Sequence, residues 1–187
     1  MDTEAGYSSQ TKYLMKLISF AGKAGSGKST LSRYLVDNHG FTLVKFADVI
    51  KDMLRVLGLT DYEIEGEGKE KSCYLLGGKT PRYAMQTLGT EWGRETMYPL
   101  IWIDAWYRRA NDVLQSGGKV VCDDVRFCNE VEAIWKLNGY VFEVLRPQQD
   151  QITKNSHPSE IIDFPCDATL INNETIAELC EKLEIFL

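Results

Sequence analysis

At 187 residues, 44% of them hydrophobic and 26% charged, the chain is long enough to bury one sizeable core and short for two, so a single domain spanning 1–187 is expected. Its formal charge of −6 argues against a broad basic face for nucleic acid, whose grip comes from neutralising phosphates, so no nucleic-acid polymer is expected as a partner. Five cysteines, odd in number and without a CxxC pair, read as reduced thiols of a cytoplasmic protein, and no apolar run approaches the ~20 residues of a membrane span.

After a polar leader at 1–12, expected to be flexible, strands and helices alternate. Leu14 to Ala21 reads as a buried strand, and Ser29 to Asn38 as a helix with Leu31, Tyr34 and Leu35 on one face, closed by Gly40. Phe41 to Phe46 is predicted as a second strand, followed by a helix from Asp48, read as its N-cap, to Leu57. Thr60 to Lys79 is charged and glycine-rich without a period, and is expected to be a mobile surface excursion. Pro81 suits the first position of a helix whose period runs from Arg82 to Leu88, where Gly89 and Gly93 should interrupt it. Another helix is predicted from Pro99 to Leu114, a third strand at Val120 to Asp123, a helix at Asn129 to Leu137 and a fourth strand at Tyr140 to Leu145. A polar loop follows Arg146-Pro147, then a short strand at Ala168 to Ile171 and a terminal helix from Glu174 to Phe186. Strands separated by helical crossovers imply an α/β fold of three layers, a five-stranded parallel sheet with helices on both faces, whose ligands bind outside the carboxyl ends of the strands.

The stretch GKAGSGKST, Gly22 to Thr30, stands between the first strand and the first helix and satisfies G-x-x-x-x-G-K-[ST]. Glycines let backbone amides converge on phosphate oxygens where a Cβ would block the approach, and the helix N-terminus adds partial positive charge. Lys28 is expected to reach the β- and γ-phosphates and the Ser29 hydroxyl to ligate Mg2+. Gly22, Ala24, Gly25, Ser26, Gly27, Lys28, Ser29 and Thr30 are therefore the candidates for binding a polyphosphorylated ligand in a P-loop NTPase fold. Downstream, Arg82 and Arg94 in TPRYAMQTLGTEWGRE are candidates for a second phosphate, since the planar guanidinium donates two parallel hydrogen bonds.

Together GKAGSGKST at 22–30, KFAD at 45–48, TPRYAMQTLGTEWGRE at 80–95, CDDVRFCNEVEAI at 122–134 and HPSE at 157–160 resemble the bacteriophage deoxynucleoside monophosphate kinases, within the nucleoside monophosphate kinase-like P-loop proteins. The resemblance implies transfer of the γ-phosphoryl of ATP to a deoxynucleoside 5′-monophosphate, giving the diphosphate for DNA precursor synthesis, in the host cytoplasm if the protein is virus-encoded. It implies an acceptor-binding region at about 48–115 and a lid at about 146–160. Such a reaction needs alignment and charge neutralisation rather than covalent help. Lys28, Arg82, Arg94 and Arg126 are the catalytic candidates, and Arg146 at the start of the lid joins the ATP site. Phe46, Ala47, Gln86, Trp92, Trp102, Asp124 and Asn129, with Arg82, Arg94 and Arg126, are the acceptor-binding candidates, offering stacking faces and amides able to read a base edge. Asp123 is expected to serve Mg2+ with Ser29, while Lys154 and His157 fall in the lid. Asn172-Asn173 is expected to border the adenine. A kinase for dephospho-coenzyme A or a nucleoside, and a nucleotide-dependent switch, remain the alternatives; against the switch, no N-K-x-D-like guanine reader is present. Base preference and a homodimer are left open.

Overall fold

In the computed structural model, which describes residues 15–147 and 163–187, five strands pair in one parallel sheet. They are β1 (Leu17–Ala21), β2 (Phe41–Leu43), β3 (Lys119–Val125), β4 (Tyr140–Leu145) and β5 (Ala168–Ile171), in the order β2-β3-β1-β4-β5. The expected leader and most of the expected lid, with Lys154, His157 and the HPSE stretch, lie outside the described residues.

Both faces of the sheet are covered, which is why β1 is buried along its whole length and reads as a continuous apolar run. Ile18 and Phe20 pack with Leu31 and Leu35 of α1 (Lys28–His39) and with Leu179 and Leu183 of α7 (Ile176–Glu184). Leu17 and Ala21 face the other way, onto Ile103 and Trp106 of α5 (Ile101–Gln115) and Val131 and Ile134 of α6 (Cys128–Lys136). Among the described residues no helix is long and apolar enough to cross a membrane.

Two local features at the carboxyl edge set the site. First, β3 carries one more residue than β1 between Cys122 and Val125, because Ser19 pairs with Cys122 and Ala21 with Val125. This bulge turns the consecutive aspartates Asp123 and Asp124 toward different neighbours. Second, β2 ends three residues before its expected limit at Phe46. Val44 still donates to Val121 O at 2.9 Å, but the Phe46 and Ala47 amides turn to the Asp124 carboxylate, both at 3.0 Å.

Between β2 and β3 runs a helical excursion that corrects three expectations. Asp48 is the first residue of α2 (Asp48–Val56) rather than its cap, and its carboxylate accepts from Lys45 N at 2.8 Å. The stretch 60–79, expected to be a mobile surface excursion, instead folds into α3 (Asp61–Ile64) and the 3-10 turns Glu67–Glu70 and Tyr74–Leu76. A small core of Leu54, Leu59, Ile64 and Cys73 lies beneath it, joined by Leu76, Ala84, Met85 and Leu88. α4 (Pro81–Thr87) begins at a Thr80 cap and is not broken by the glycines; it widens into a π-helix, Leu88–Met97. Trp102 causes this: its indole N–H donates to Gly89 O at 2.8 Å, and a Cβ at Gly93 would stand 2.5 Å from its ring. A wider turn with glycine at that contact lets the helix pass over the buried indole.

Candidate active site

The loop Gly22–Gly27 leaves the carboxyl end of β1 and opens α1, with Gly27 at φ 114° in the N-cap position. A Cβ at Gly22 would lie 2.5 Å from Val144 O, and one at Gly27 2.8 Å from the Asn172 amide. The chain can take this path only with glycine at those two places. Lys28 Nζ donates to Gly22 O and Lys23 O, both at 2.7 Å, so its ammonium lies across the loop. Asn172 braces the loop from β5's end by donating to Ser26 O at 2.7 Å, and Arg146 Nη1 approaches Gly25 O at 3.4 Å. Asn172, expected with Asn173 to border the adenine, thus also backs the loop. Ala24, Gly25 and Ser29 are exposed and Thr30 is half-buried, whereas Ser26 is buried with its hydroxyl unpartnered among the described residues. Amides converging at a helix N-terminus, with a lysine folded over them, suit an anion carrying several oxygens.

Beside the loop, at the end of β3, the two aspartates do different work. The buried Asp123 accepts from Ser32 Oγ of α1 at 2.8 Å and forms an ion pair with Lys45 Nζ at 2.8 Å. Burial works against the Lys45 ammonium, yet the hydrogen bond and charge of Asp123 outweigh it and raise its pKa. Asp124, expected to touch an acceptor, is committed instead to the Phe46 and Ala47 backbone, so its carboxylate fixes the β2–α2 turn. Its charge, after burial, helps push the buried Cys122 thiol well above its ordinary range. Neither aspartate pairs with Arg126, whose side chain is exposed. Among the described residues no group of three His, Cys, Asp or Glu is arranged to hold a metal ion.

The arginines are distributed unequally. Arg94, on the π-helix, donates from Nη2 to Glu130 Oε1 at 3.1 Å and lies over the Phe127 ring at 4.4 Å. Glu130 is 2% exposed, and its other oxygen accepts from Arg126 N at 2.7 Å and Phe127 N at 3.2 Å. Burial pushes its pKa up to about 7, against those amide bonds. Arg82 stands on the exposed side of α4, paired with Glu70.

Several expected contact residues turn out to be packing. Phe46 is buried and stacked on Trp106 with ring centroids 4.5 Å apart, while Trp106 donates to Val44 O at 3.0 Å. Trp102 is buried beneath the π-helix. Trp92, beside it at 6.1 Å, is partly exposed, Gln86 is exposed and Ala47 half-buried. Asn129 turns into a groove of about 240 Å³ between α5 and α6, where its carbonyl is unpartnered among the described residues.

Sequence reasoning passed over two lysines, Lys51 on α2 and Lys69 on the turn Glu67–Glu70, that the fold brings near one another. Lys51 is buried and pairs with Glu65 at 2.8 Å, and Lys69 is half-buried with its pKa lowered, first by burial and then by the Lys51 charge. No spacing rule could have found them, because α3 and the turn Glu67–Glu70 bring them together. Glu130 did leave a signal: it is the third residue of α6, where a carboxylate reaches back to cap the helix.

No family model matches the chain. A protein of Acanthamoeba polyphaga mimivirus named "Putative deoxynucleotide monophosphate kinase" is 34% identical to it, over 90% of this chain and 94% of the relative. Among solved structures, shikimate kinase from Aquifex aeolicus superposes with a TM-score of 0.51 at 12% identity, covering 91% of this chain and 95% of its own. The Thermus thermophilus protein TT1252 does so with a TM-score of 0.50 at 17% identity, over 90% and 94%. At such identities the likeness is one of fold, the parallel sheet and helices of P-loop kinases.

Proposed function

Since the chain belongs to the deoxynucleotide monophosphate kinase family, we propose that it transfers the γ-phosphoryl group of ATP to the 5′-phosphate of a deoxynucleoside monophosphate. The observation that carries this reading is the pairing of two cationic sites at the carboxyl ends of neighbouring strands. The glycine loop with Lys28 follows β1; Arg126 follows β3, and Arg94 is bound to the residue that holds Arg126's backbone. Two anions meeting there face each other across fixed positive charge, which is the alignment that phosphoryl transfer requires.

In this reading Mg·ATP is a substrate that brings its own metal. Its phosphates take the loop amides of Gly22–Thr30, Lys28 leaves Gly22 O and Lys23 O for the β- and γ-oxygens, and the Ser29 hydroxyl with Asp123 meets the metal and its waters. Arg146 closes over the loop. A phosphate oxygen of the acceptor attacks the γ-phosphorus as the bond to the β–γ bridging oxygen breaks, and ADP leaves. Arg94 and Arg126 neutralise the transferring group, and Arg82 swings from Glu70 to the acceptor. Trp92 and Gln86 are the remaining candidates for the base, and Lys45 joins the cations.

A coupled assay with Mg·ATP and each deoxynucleoside monophosphate in turn tests the proposal. Formation of one or more diphosphates is expected. ATP hydrolysis without any acceptor, or transfer only to an acceptor without a phosphate, would reject it.

A further inference from the structure

The Glu130 carboxylate is nearly solvent-free, yet it closes the first turn of α6, a task that ordinarily leaves a side chain in water. As a cap it needs only an acceptor for Arg126 N and Phe127 N, which its Oε2 supplies at 2.7 and 3.2 Å. A neutral glutamine oxygen would do the same without desolvating a charge, and a buried charge is costly unless something uses it. Here the charge is used: Oε1 receives the Arg94 guanidinium, which the Phe127 ring covers from one face. Among the described residues Nη2 is the only Arg94 donor with a hydrogen-bond partner, and the Arg94 side chain keeps 24% of its surface exposed. A fork pinned by one tine and one face leaves its other donors for an anion.

We propose that Glu130 is a positioning residue for the arginine side of the site, one carboxylate that orients the Arg94 guanidinium and fixes the turn carrying Arg126. It touches no substrate itself. The charged groups facing it are Arg94 from the π-helix and Asp124 from β3; Asp104 of α5 lies instead in the groove with Glu132 and Lys136. A proton arriving at Oε1 replaces the acceptor with a hydroxyl aimed at a guanidinium, so Arg94 loses its anchor while the cap on Oε2 survives. The inference rests on the kinase reading for the consequence in catalysis, and on the geometry alone for the anchor.

Two variants and two measurements test it. In Glu130→Gln, kcat should fall about 10- to 100-fold with KM for ATP unchanged, as for a group felt in the transition state. Wild-type activity should fall on the acid side with a midpoint near 7. Glu130→Gln should retain only the limb near ~6 that the acceptor phosphate itself imposes. Arg94→Met must lose the limb near 7 as well, and adding Glu130→Gln to it should cost nothing further. Wild-type kcat in Glu130→Gln, or a limb that stays near 7 in Arg94→Met, overturns the proposal. If Glu130→Gln does not fold, the Arg94→Met profile decides alone. Carbon-13 NMR of labelled glutamate carboxyls reads the anchor without any turnover: one resonance should titrate near 7, vanish in Glu130→Gln and move upward in Arg94→Met. A resonance indifferent to Arg94→Met sinks the anchor. Absence of phosphoryl transfer beside the expected NMR result sinks the kinase reading instead.

Discussion

Lys28 reaches back only six and five residues to its partners Gly22 O and Lys23 O, whereas Arg94 is held by Glu130, 36 residues further on, and Phe46 by Asp124 across 78. The phosphate loop is thus assembled largely by its own sequence, with distant braces from Asn172 and Arg146. The arginine end exists only where β3, the π-helix and α6 meet. A local nest can be stripped of one functional group without disturbing the fold, while a change at the distant end touches stability and chemistry together.

Lys28→Met should make the sharpest case for that contrast. Its ammonium lies across the loop, so transfer should drop by about 10³-fold or more, the scale of losing a charge that stabilises a transferring phosphoryl group. Thermal unfolding should shift little, because the hydrogen bonds from Lys28 to Gly22 O and Lys23 O lie within the loop itself, at half-buried residues. A collapse of the melting transition would mean that the loop is not self-supporting.

Gly93→Ala attacks the other end. The new methyl meets the Trp102 ring at 2.5 Å, and a buried indole bonded to Gly89 O has nowhere to retreat. Overpacking of this kind costs about 1–3 kcal/mol, and it shifts the neighbouring Arg94. Both a lower melting temperature and a reduced kcat are expected, and a loss in only one of them would break the coupling claimed for this region.

The same comparison explains what could be read from the sequence. The loop, all five strands and the crossover helices were legible because each depends on a local pattern: glycine spacing, apolar runs, a 3.6-residue period. The core of 60–79 was not, since Leu59, Ile64 and the run CYLL at 73–76 share no helical or strand period and meet Leu54 only in three dimensions. Phe46 and Trp102 show the opposite difficulty: aromatic residues beside a motif suggest ligand contacts, and only the fold reveals that these two also pack on Trp106 and Gly93. The hold of Asp124 on the Phe46 and Ala47 amides was not legible either, because a bulge, invisible in a single strand, decides where each of two adjacent carboxylates points.

Glu130→Gln refines the contrast through pH. The folded protein holds this carboxyl at about 7, raised from the ordinary 4.5 mainly by burial. A raised carboxyl makes its full contribution below the unfolded value, and that contribution is lost as pH climbs through the folded one. Between pH 5 and 8 the wild type should therefore lose stability that the glutamine variant keeps. Leaving Arg94 without its ion pair offsets part of this, so a net gain of about 1–2 kcal/mol for Glu130→Gln at pH 8 is expected. Denaturant melts at pH 5, 6.5 and 8 would show the difference growing with pH, and a difference that shrinks would reveal the carboxylate as a structural cap.

The smallest change in stability belongs to Arg82, and it isolates the chemistry of the arginine end from its folding. Arg82 and Glu70 are both more than half exposed, so water already screens their pair and little of the fold depends on it. Arg82→Met should leave the unfolding free energy within about 0.5 kcal/mol of the wild type. If the guanidinium leaves Glu70 for the acceptor, KM for the deoxynucleoside monophosphate should rise by about tenfold while KM for ATP stays fixed, the pattern of a lost charge-assisted contact to one substrate. Glu70→Gln should act in the reverse sense, lowering that KM slightly by freeing the arginine. Equal KM values in all three proteins would leave Arg82 as a surface residue and confine the acceptor's cations to Arg94, Arg126 and Lys45.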